Sequence, residues 1–224
     1  MKMRLQILSA CVLVATAVPA AWSNGGGPEP EITAPREQTP EEQAKTLYNK
    51  GVHDVKKADK YQAAALQLTD AGKKDRAVRE AQEYYTSALK RFQQAAQTNP
   101  QMPEAWNYVG YTNRHLGNYD TALTAYEQAL TLRPGYPDAL EYRGEAFLGL
   151  NRIADAKQAY LDLFAGNRQL ADKLLVAMRG WLDAQRASAD ATAVSELDKW
   201  IQERSAIAGQ TASLTRDGTA ASWN

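Results

Sequence analysis

The feature that most constrains this chain is a spacing of about 34 residues that recurs through its middle. Small, aromatic and proline residues return at that interval, each class at its own offset. The recurring sets are Gly110 and Gly144; Ala88, Ala122 and Ala156; Phe92, Tyr126 and Tyr160; Ala95, Ala129 and Leu163; and Pro100 and Pro134. Such a period, with small and large residues at fixed offsets, is typical of a solenoid of stacked helix-turn-helix units.

The residues that recur have the sizes that close packing of paired helices requires. We expect Gly110 and Gly144 where the two helices of one unit meet, because only a minimal side chain allows that close approach. Gly117 is placed to end a helix in a left-handed turn, and Pro100 interrupts a helix at the junction between units. Ala, Leu, Gln, Glu, Lys and Arg dominate this region and favour helices, so we predict an all-α fold.

The best-formed unit contains Trp106-Asn107-Tyr108-Val109-Gly110, Leu116-Gly117-Asn118-Tyr119, Ala122, Tyr126, Ala129 and Pro134. It resembles the tetratricopeptide (TPR) repeat at nearly every signature position, except for Asn113, where an aromatic residue is usual. The next unit has Arg143 in place of a leucine and Arg168 in place of the closing proline, which predicts an irregular exit turn. The resemblance implies a right-handed TPR α-solenoid of antiparallel helix pairs, with repeats at 102–135 and 136–167.

The first repeat is longer than the others. Leu47 to Gly51 matches the start of a first helix, yet the separation of Gly51 from Gly110 exceeds the period by the length of about seven helical turns. Residues 54–69 contain neither proline nor glycine, so the extra length favours helix, with a flexible insertion as the alternative. The expected helices are about 41–70 and 73–98, in an elongated first hairpin of residues 41–101 that begins after a capping Thr39 and turns near Asp70.

Beyond the repeats, apolar residues keep helical spacing in two further segments. They are Leu170, Leu174, Leu175, Met178, Trp181 and Leu182, and then Val194, Leu197, Trp200 and Ile201. We interpret residues 168–208 as a helical hairpin that caps the open end of the solenoid. The polar, aperiodic sequence of 209–224 predicts a disordered tail.

Residues 1–22 have the pattern of an export signal. Lys2 and Arg4 precede an apolar stretch, and small residues near Ala20 suit a signal peptidase. The stretch is short for a membrane span, so we expect cleavage and a periplasmic protein; an uncleaved anchor, or a lipoprotein acylated at Cys11, is the alternative. Residues 23–40 are rich in glycine and proline, which predicts a disordered linker.

Composition and motifs argue against several classes of function. The chain has 26 basic and 26 acidic side chains, so a general affinity for nucleic acid is not expected. His53 and His115 lack metal-ligand spacing, and no H-E-x-x-H, P-loop or G-x-S-x-G motif occurs. We therefore expect no cofactor, no metal site and no enzymatic activity.

By the resemblance, the first helix of each repeat lines a concave groove that receives a protein or peptide partner. The matching positions are Asn107, Tyr108, Tyr111, Arg114, Asp138, Glu141, Tyr142 and Glu145. Tyrosine and arginine are favoured binding anchors, and the carboxylates would prefer lysine or arginine on the partner. The Lys/Asn clamp that some TPR domains use for a terminal carboxylate is absent from these positions, so a ligand of that kind is not expected.

Three functional hypotheses follow. The first is an exported adaptor, scaffold or assembly factor, without enzymatic activity, that binds a partner segment in the groove. The second is a small-molecule or glycan binder whose tyrosines stack on the ligand. The third is a membrane-tethered scaffold, should the N-terminal segment remain or be acylated.

Overall fold

A computed structural model describes residues 36–185 and 191–216. Within these ranges the chain forms eight α-helices and no strand, so the all-α prediction is confirmed. The helices are α1 Pro40–Gln67, α2 Ala71–Thr98, α3 Pro103–His115, α4 Tyr119–Leu132, α5 Pro137–Gly149, α6 Ile153–Gly166, α7 Arg168–Gln185 and α8 Ala191–Arg216. The predicted signal segment, Cys11 and most of the predicted linker lie outside the described residues. None of the described helices combines the length and apolar character that crossing a membrane would take.

The first hairpin is elongated, as predicted. Helices α1 and α2 have 28 residues each, whereas α3 to α6 have 13 or 14. Both long helices are continuous, so the alternative of a flexible insertion is wrong. Thr39 caps α1 through a reciprocal pair of hydrogen bonds with Glu42, at 3.2 and 2.8 Å, and Asp70 caps α2 by accepting the Lys73 N–H at 2.8 Å. Side-chain caps therefore define both helix starts.

Two glycines of the first standard repeat have the tasks that the sequence predicts. A Cβ atom on Gly110 would lie 2.4 Å from a ring carbon of the fully buried Tyr126, so α3 and α4 can meet only without that side chain. Gly117 has a φ of 82° and ends α3 in a left-handed turn. Asn151, one repeat period later, has a φ of 57°, which suits the residue type that tolerates this conformation best after glycine.

Gly144 departs from the prediction. The nearest atom to its missing Cβ is Leu174 Cδ2 on α7, at 2.5 Å, while Ala159 on α6 of its own repeat lies at 3.3 Å. The tightest approach is therefore made to the next hairpin. The small side chain of Ala159 leaves room for Leu174 to reach the backbone of α5, and this contact fastens the C-terminal hairpin to the repeats.

The C-terminal hairpin, formed by α7 and α8, closes the core at that end. Its largest fully buried side chains are Leu174, Met178, Leu182, Leu197 and Ile201. Helix α8 continues to Arg216, so the prediction of a disordered tail is wrong for residues 209–216. Adding residues to an established helix costs far less than starting one, and a polar sequence can therefore extend α8. Residues 217–224 lie outside the described part.

Candidate functional site

The first helices of successive hairpins lie side by side. Helix α3 contacts α5, and α5 contacts α7, while aromatic rings join α1 to α3. Four tyrosines on α1, α3 and α5 form a continuous row on this layer, which we call the tyrosine strip: Tyr48, Tyr108, Tyr111 and Tyr142. All four are half-buried. The strip is thus a surface feature rather than part of the closed core.

Ring contacts connect each tyrosine of the strip to the next. The centroid distances are 5.5 Å from Tyr48 to Tyr108, 5.7 Å from Tyr108 to Tyr111 and 5.0 Å from Tyr111 to Tyr142. The first and last of these pairs are edge-to-face. Such pairs contribute about 0.5–1.5 kcal/mol each beyond burial, so the strip is a preformed surface.

The long first hairpin completes this surface with a carboxylate. Asp59 on α1 accepts the hydroxyl of Tyr111 at 2.9 Å, and the hydroxyl of the buried Tyr85 lies 2.6 Å from the same oxygen. Burial, followed by the charge of Asp59, raises the pKa of Tyr111, so its hydroxyl remains a donor. By contrast, the hydroxyls of Tyr48, Tyr108 and Tyr142 bond to no residue that the structure describes.

Sequence reasoning missed Asp59, although a signal for it exists. It lies four residues after the buried Val55 and eight after the buried Gly51, a spacing that places all three on one face of α1. A carboxylate on an otherwise small and apolar stripe needs hydrogen-bond donors. Tyr111 and Tyr85 are those donors.

Two ion pairs border the tyrosine strip. Arg114 on α3 pairs with Glu145 on α5, and Lys173 on α7 pairs with Glu141 on α5 at 3.1 Å. Both cations also lie over the strip: Arg114 is 5.3 Å from the centroid of Tyr111, and Lys173 is 5.1 Å from that of Tyr142. The rings of the strip therefore already accept cations on their faces.

Two residues predicted to line an exposed groove are buried instead. Asn107 is 1% exposed and Glu141 is 0% exposed, so neither offers a side chain to a partner. Helix α3 lies between α1 and α5, and α5 lies between α3 and α7. A side chain on the flank of α3 or α5 is therefore covered by the neighbouring helix. Arg114 is also largely enclosed, with 13% of its side chain exposed, so it acts mainly through Glu145.

The family model for the tetratricopeptide repeat matches residues 63–137 and 116–171, the span from the end of α1 to the start of α7. The chain is a tetratricopeptide-repeat protein. No curated protein matches it.

The solved structures that are similar to this TPR protein include three with 18% identity each. The first TPR domain of human RPAP3 has a TM-score of 0.47, with 66% of this chain and 99% of that domain covered. The first TPR of Spaghetti (RPAP3) bound to the HSP90 peptide SRMEEVD has a TM-score of 0.39, with 56% and 94% covered. The CopN–Scc3 complex contains a chain with a TM-score of 0.39, with 80% and 81% covered.

The remaining predicted groove residue of the TPR protein, Asp138, lies in the first turn of α5. It is half-buried and forms no ion pair with any residue in the described ranges. Its charge adds to burial in raising the pKa of Tyr108. Asp138 is thus a carboxylate beside the tyrosine strip with no cation of its own.

Burial moves two other pKa values near the strip in opposite directions. Burial, then the neighbouring carboxylate of Glu145, raises the pKa of Glu141 to about 8, against the opposing effect of Lys173. Burial, together with the charges of Arg114 and Lys173, lowers the pKa of His115 to about 3. His115 is therefore neutral at pH 7.

The neutral ring of His115 packs in the aromatic cluster beside the strip. Its centroid lies 4.6 Å from that of Tyr85 and 4.4 Å from that of Tyr111. In the part of the chain that the structure describes, no three His, Cys, Asp or Glu side chains gather closely enough to hold a metal ion. His115 acts in this arrangement as a flat packing surface.

A cleft of about 350 Å³ adjoins the strip at its far end. Gln62 borders it from α1, Arg114 and His115 from α3, Glu145 from α5 and Trp181 from α7. The long first hairpin and the C-terminal hairpin thus approach the same cleft from opposite ends of the helix row. Among the described residues that line the cleft, the charged ones are Arg114 and Glu145, which form an ion pair with each other.

Proposed function

We propose that this chain is an exported adaptor, without enzymatic activity, that binds a segment of a partner protein along the tyrosine strip. TPR repeats in general use an extended surface of stacked helices to bind other proteins. The single observation that supports the site is the strip itself, since its rings form one row across three helices and three of its four hydroxyls are unbonded within the described residues. Tyrosine brings a large rigid area with a polar tip, and it is enriched among residues that dominate binding energy.

The dimensions of the strip favour an extended peptide segment as its guest. The three centroid distances of 5.5, 5.7 and 5.0 Å together equal the length of about five residues of extended chain. Side chains of such a segment could contact successive tyrosines. The hydroxyls of Tyr48, Tyr108 and Tyr142 could donate to its backbone carbonyls.

Site-specific photocrosslinking tests this proposal. p-Benzoylphenylalanine would replace Tyr142 in the strip and, as a matched control, the exposed Glu127 on α4. Irradiation of cells that produce each variant should yield a protein adduct of defined mass from position 142 and none from position 127. Mass spectrometry of the crosslinked peptide would then identify the partner segment.

Three outcomes would contradict the proposal. The first is the same adduct from both positions, and the second is an adduct from position 127 alone. The third is the absence of a protein adduct from position 142, including an adduct of sugar mass there, which would support the alternative of a glycan binder. Binding along the strip predicts none of these.

Export is part of the same proposal, supported by the pattern of Lys2, Arg4 and the apolar stretch that follows. The intact mass of the protein recovered from cells tests it. Loss of about 22 N-terminal residues is expected from a cleaved signal. Retention of the segment, or a diacylglycerol adduct on Cys11, would replace the soluble form by a membrane-bound one.

A further inference from the structure

The charged groups around the tyrosine strip do not balance. Three acidic side chains are neutralised in the ion pairs Glu104–Arg133, Glu145–Arg114 and Glu141–Lys173. Two more, Asp59 and Asp138, form no ion pair with any residue between 36 and 185 or between 191 and 216. When Glu141 is protonated, four ionised carboxylates remain against three cations, an excess of one negative charge. The carboxylates are those of Glu104, Glu145, Asp59 and Asp138, and the cations are Arg133, Arg114 and Lys173. The surface is therefore complementary to a positive charge.

The repeat register explains why Asp138 has no cation. Asp138 lies one repeat period after Glu104, and the position one period after Arg133 is Asn167. Arg133 neutralises Glu104 in the first standard repeat. In the second repeat the asparagine is uncharged, so the equivalent carboxylate, that of Asp138, has no ion-pair partner among the described residues.

Asp138 lies beside the strip. It precedes Tyr142 by four residues on α5, so the two side chains share one face of that helix. Burial is the main cause of the raised pKa values of Tyr108 and Tyr142, and the charge of Asp138 adds to both. The hydroxyls of these tyrosines and the carboxylate of Asp138 have no hydrogen-bond partner among the described residues and are not among the buried unpaired polar atoms, so all three reach solvent.

We infer that the partner segment carries an arginine or lysine side chain, and that this cation binds Asp138 against the rings of the tyrosine strip. The inference rests on the proposed function. The structure already contains the same arrangement with its own cations, since Arg114 and Lys173 lie over Tyr111 and Tyr142. An ion pair with Asp138 adds to the cation–π attraction, whereas an acidic guest would be repelled.

A titration with short peptides tests the inference. The full-length chain, labelled with ¹⁵N, would be titrated with the capped tripeptides Ala-Arg-Ala and Ala-citrulline-Ala, which differ only in the charge of an isosteric side chain. The arginine peptide should bind at least fivefold more tightly. Its chemical-shift changes should centre on the amides of Tyr108, Asp138 and Tyr142.

A matched pair of variants locates the effect. Asp138→Asn should reduce the preference for arginine over citrulline to less than twofold. Asp120→Asn is the control, because Asp120 is also in the first turn of its helix, α4, and is exposed. Both variants lose the same helix-dipole interaction, but Asp120→Asn should keep the fivefold preference.

Equal binding of the two peptides would overturn the inference, and so would an equal loss of preference in Asp120→Asn. Shifts confined to residues away from the strip would also overturn it. The photocrosslink at position 142 does not depend on charge. If that adduct forms while the arginine preference is absent, the adaptor function stands and the cationic partner is wrong.

Discussion

Replacing Glu141 by glutamine should stabilise the protein, by an amount that grows as the pH rises. Glu141 is 0% exposed, and its Oε1 atom has no hydrogen-bond partner. One oxygen accepts from Lys173 at 3.1 Å, but Glu145 lies one helical turn away on the same face. Burial and this second carboxylate favour the protonated form, which glutamine resembles in shape and charge.

The sign and size of the effect follow from the pKa. The folded state holds the Glu141 proton up to a pKa of about 8, against an ordinary value of 4.5. The stability that this proton provides is complete below pH 4.5, is lost as the pH rises toward 8, and is absent above it. Each pKa unit corresponds to about 1.4 kcal/mol, so Glu141→Gln should gain about 2–5 kcal/mol at pH 9 and close to nothing at pH 5.

Thermal unfolding followed by circular dichroism between pH 5 and pH 9 measures this gain. For a chain of this size, the expected rise in Tm at pH 9 is about 5–15 °C. Glu127→Gln, on the exposed surface of α4, is the control and should change Tm by less than about 2 °C. A Glu141→Gln variant that unfolds more easily than the natural protein at pH 9 would show that the ionised carboxylate is stabilising, and would refute the reasoning.

Two further predictions concern the fold. Gly110→Ala should destabilise the protein by about 1–3 kcal/mol in urea unfolding, because its Cβ would overlap the ring of Tyr126; Gly180→Ala, with open space around it, should instead be neutral or gain up to about 1 kcal/mol. Equal effects at the two glycines would contradict the packing argument. Thr39→Ala should cost about 1 kcal/mol by removing the side-chain cap that Glu42 completes, whereas unchanged stability would mean that the first turn of α1 contributes little.

The repeated part of the fold could be predicted because its packing is local and periodic. The repeat period identifies pairs such as Gly110 and Tyr126 that must meet when two short helices fold back on each other. The start of α1 was equally readable, since Thr39 is a side-chain cap whose partner Glu42 lies three residues away. Asp70 was predicted only as part of the turn, and it caps α2 at Ala71, two residues before the predicted start. Each of these features depends on residues close in sequence or one repeat apart.

The burial of the predicted site could not be read in the same way. The spacing of residues along a helix shows which face of the helix a side chain is on, but not whether another helix packs against that face. Asn107 and Glu141 therefore appeared as groove residues, although α3 and α5 are flanked on both sides. Asp59 shows the reverse case, because its contact with Tyr111 joins residues 52 positions apart and does not follow the repeat period.

The proposed docking position coincides with another break in the repeat. Had residue 167 been an arginine like Arg133, the carboxylate of Asp138 would be neutralised as Glu104 is, and the strip would offer little attraction to a cation. The asparagine at this position instead helps to start α7, because its side chain accepts the N–H of Leu170 at 3.1 Å. One departure from the period thus redirects the chain into the C-terminal hairpin and leaves an acidic group open beside the tyrosines. Asn167→Arg should therefore weaken the preference of the strip for arginine over citrulline while Asp138 itself is unchanged, and a preference that remained fivefold would show that the charge of Asp138 does not set it.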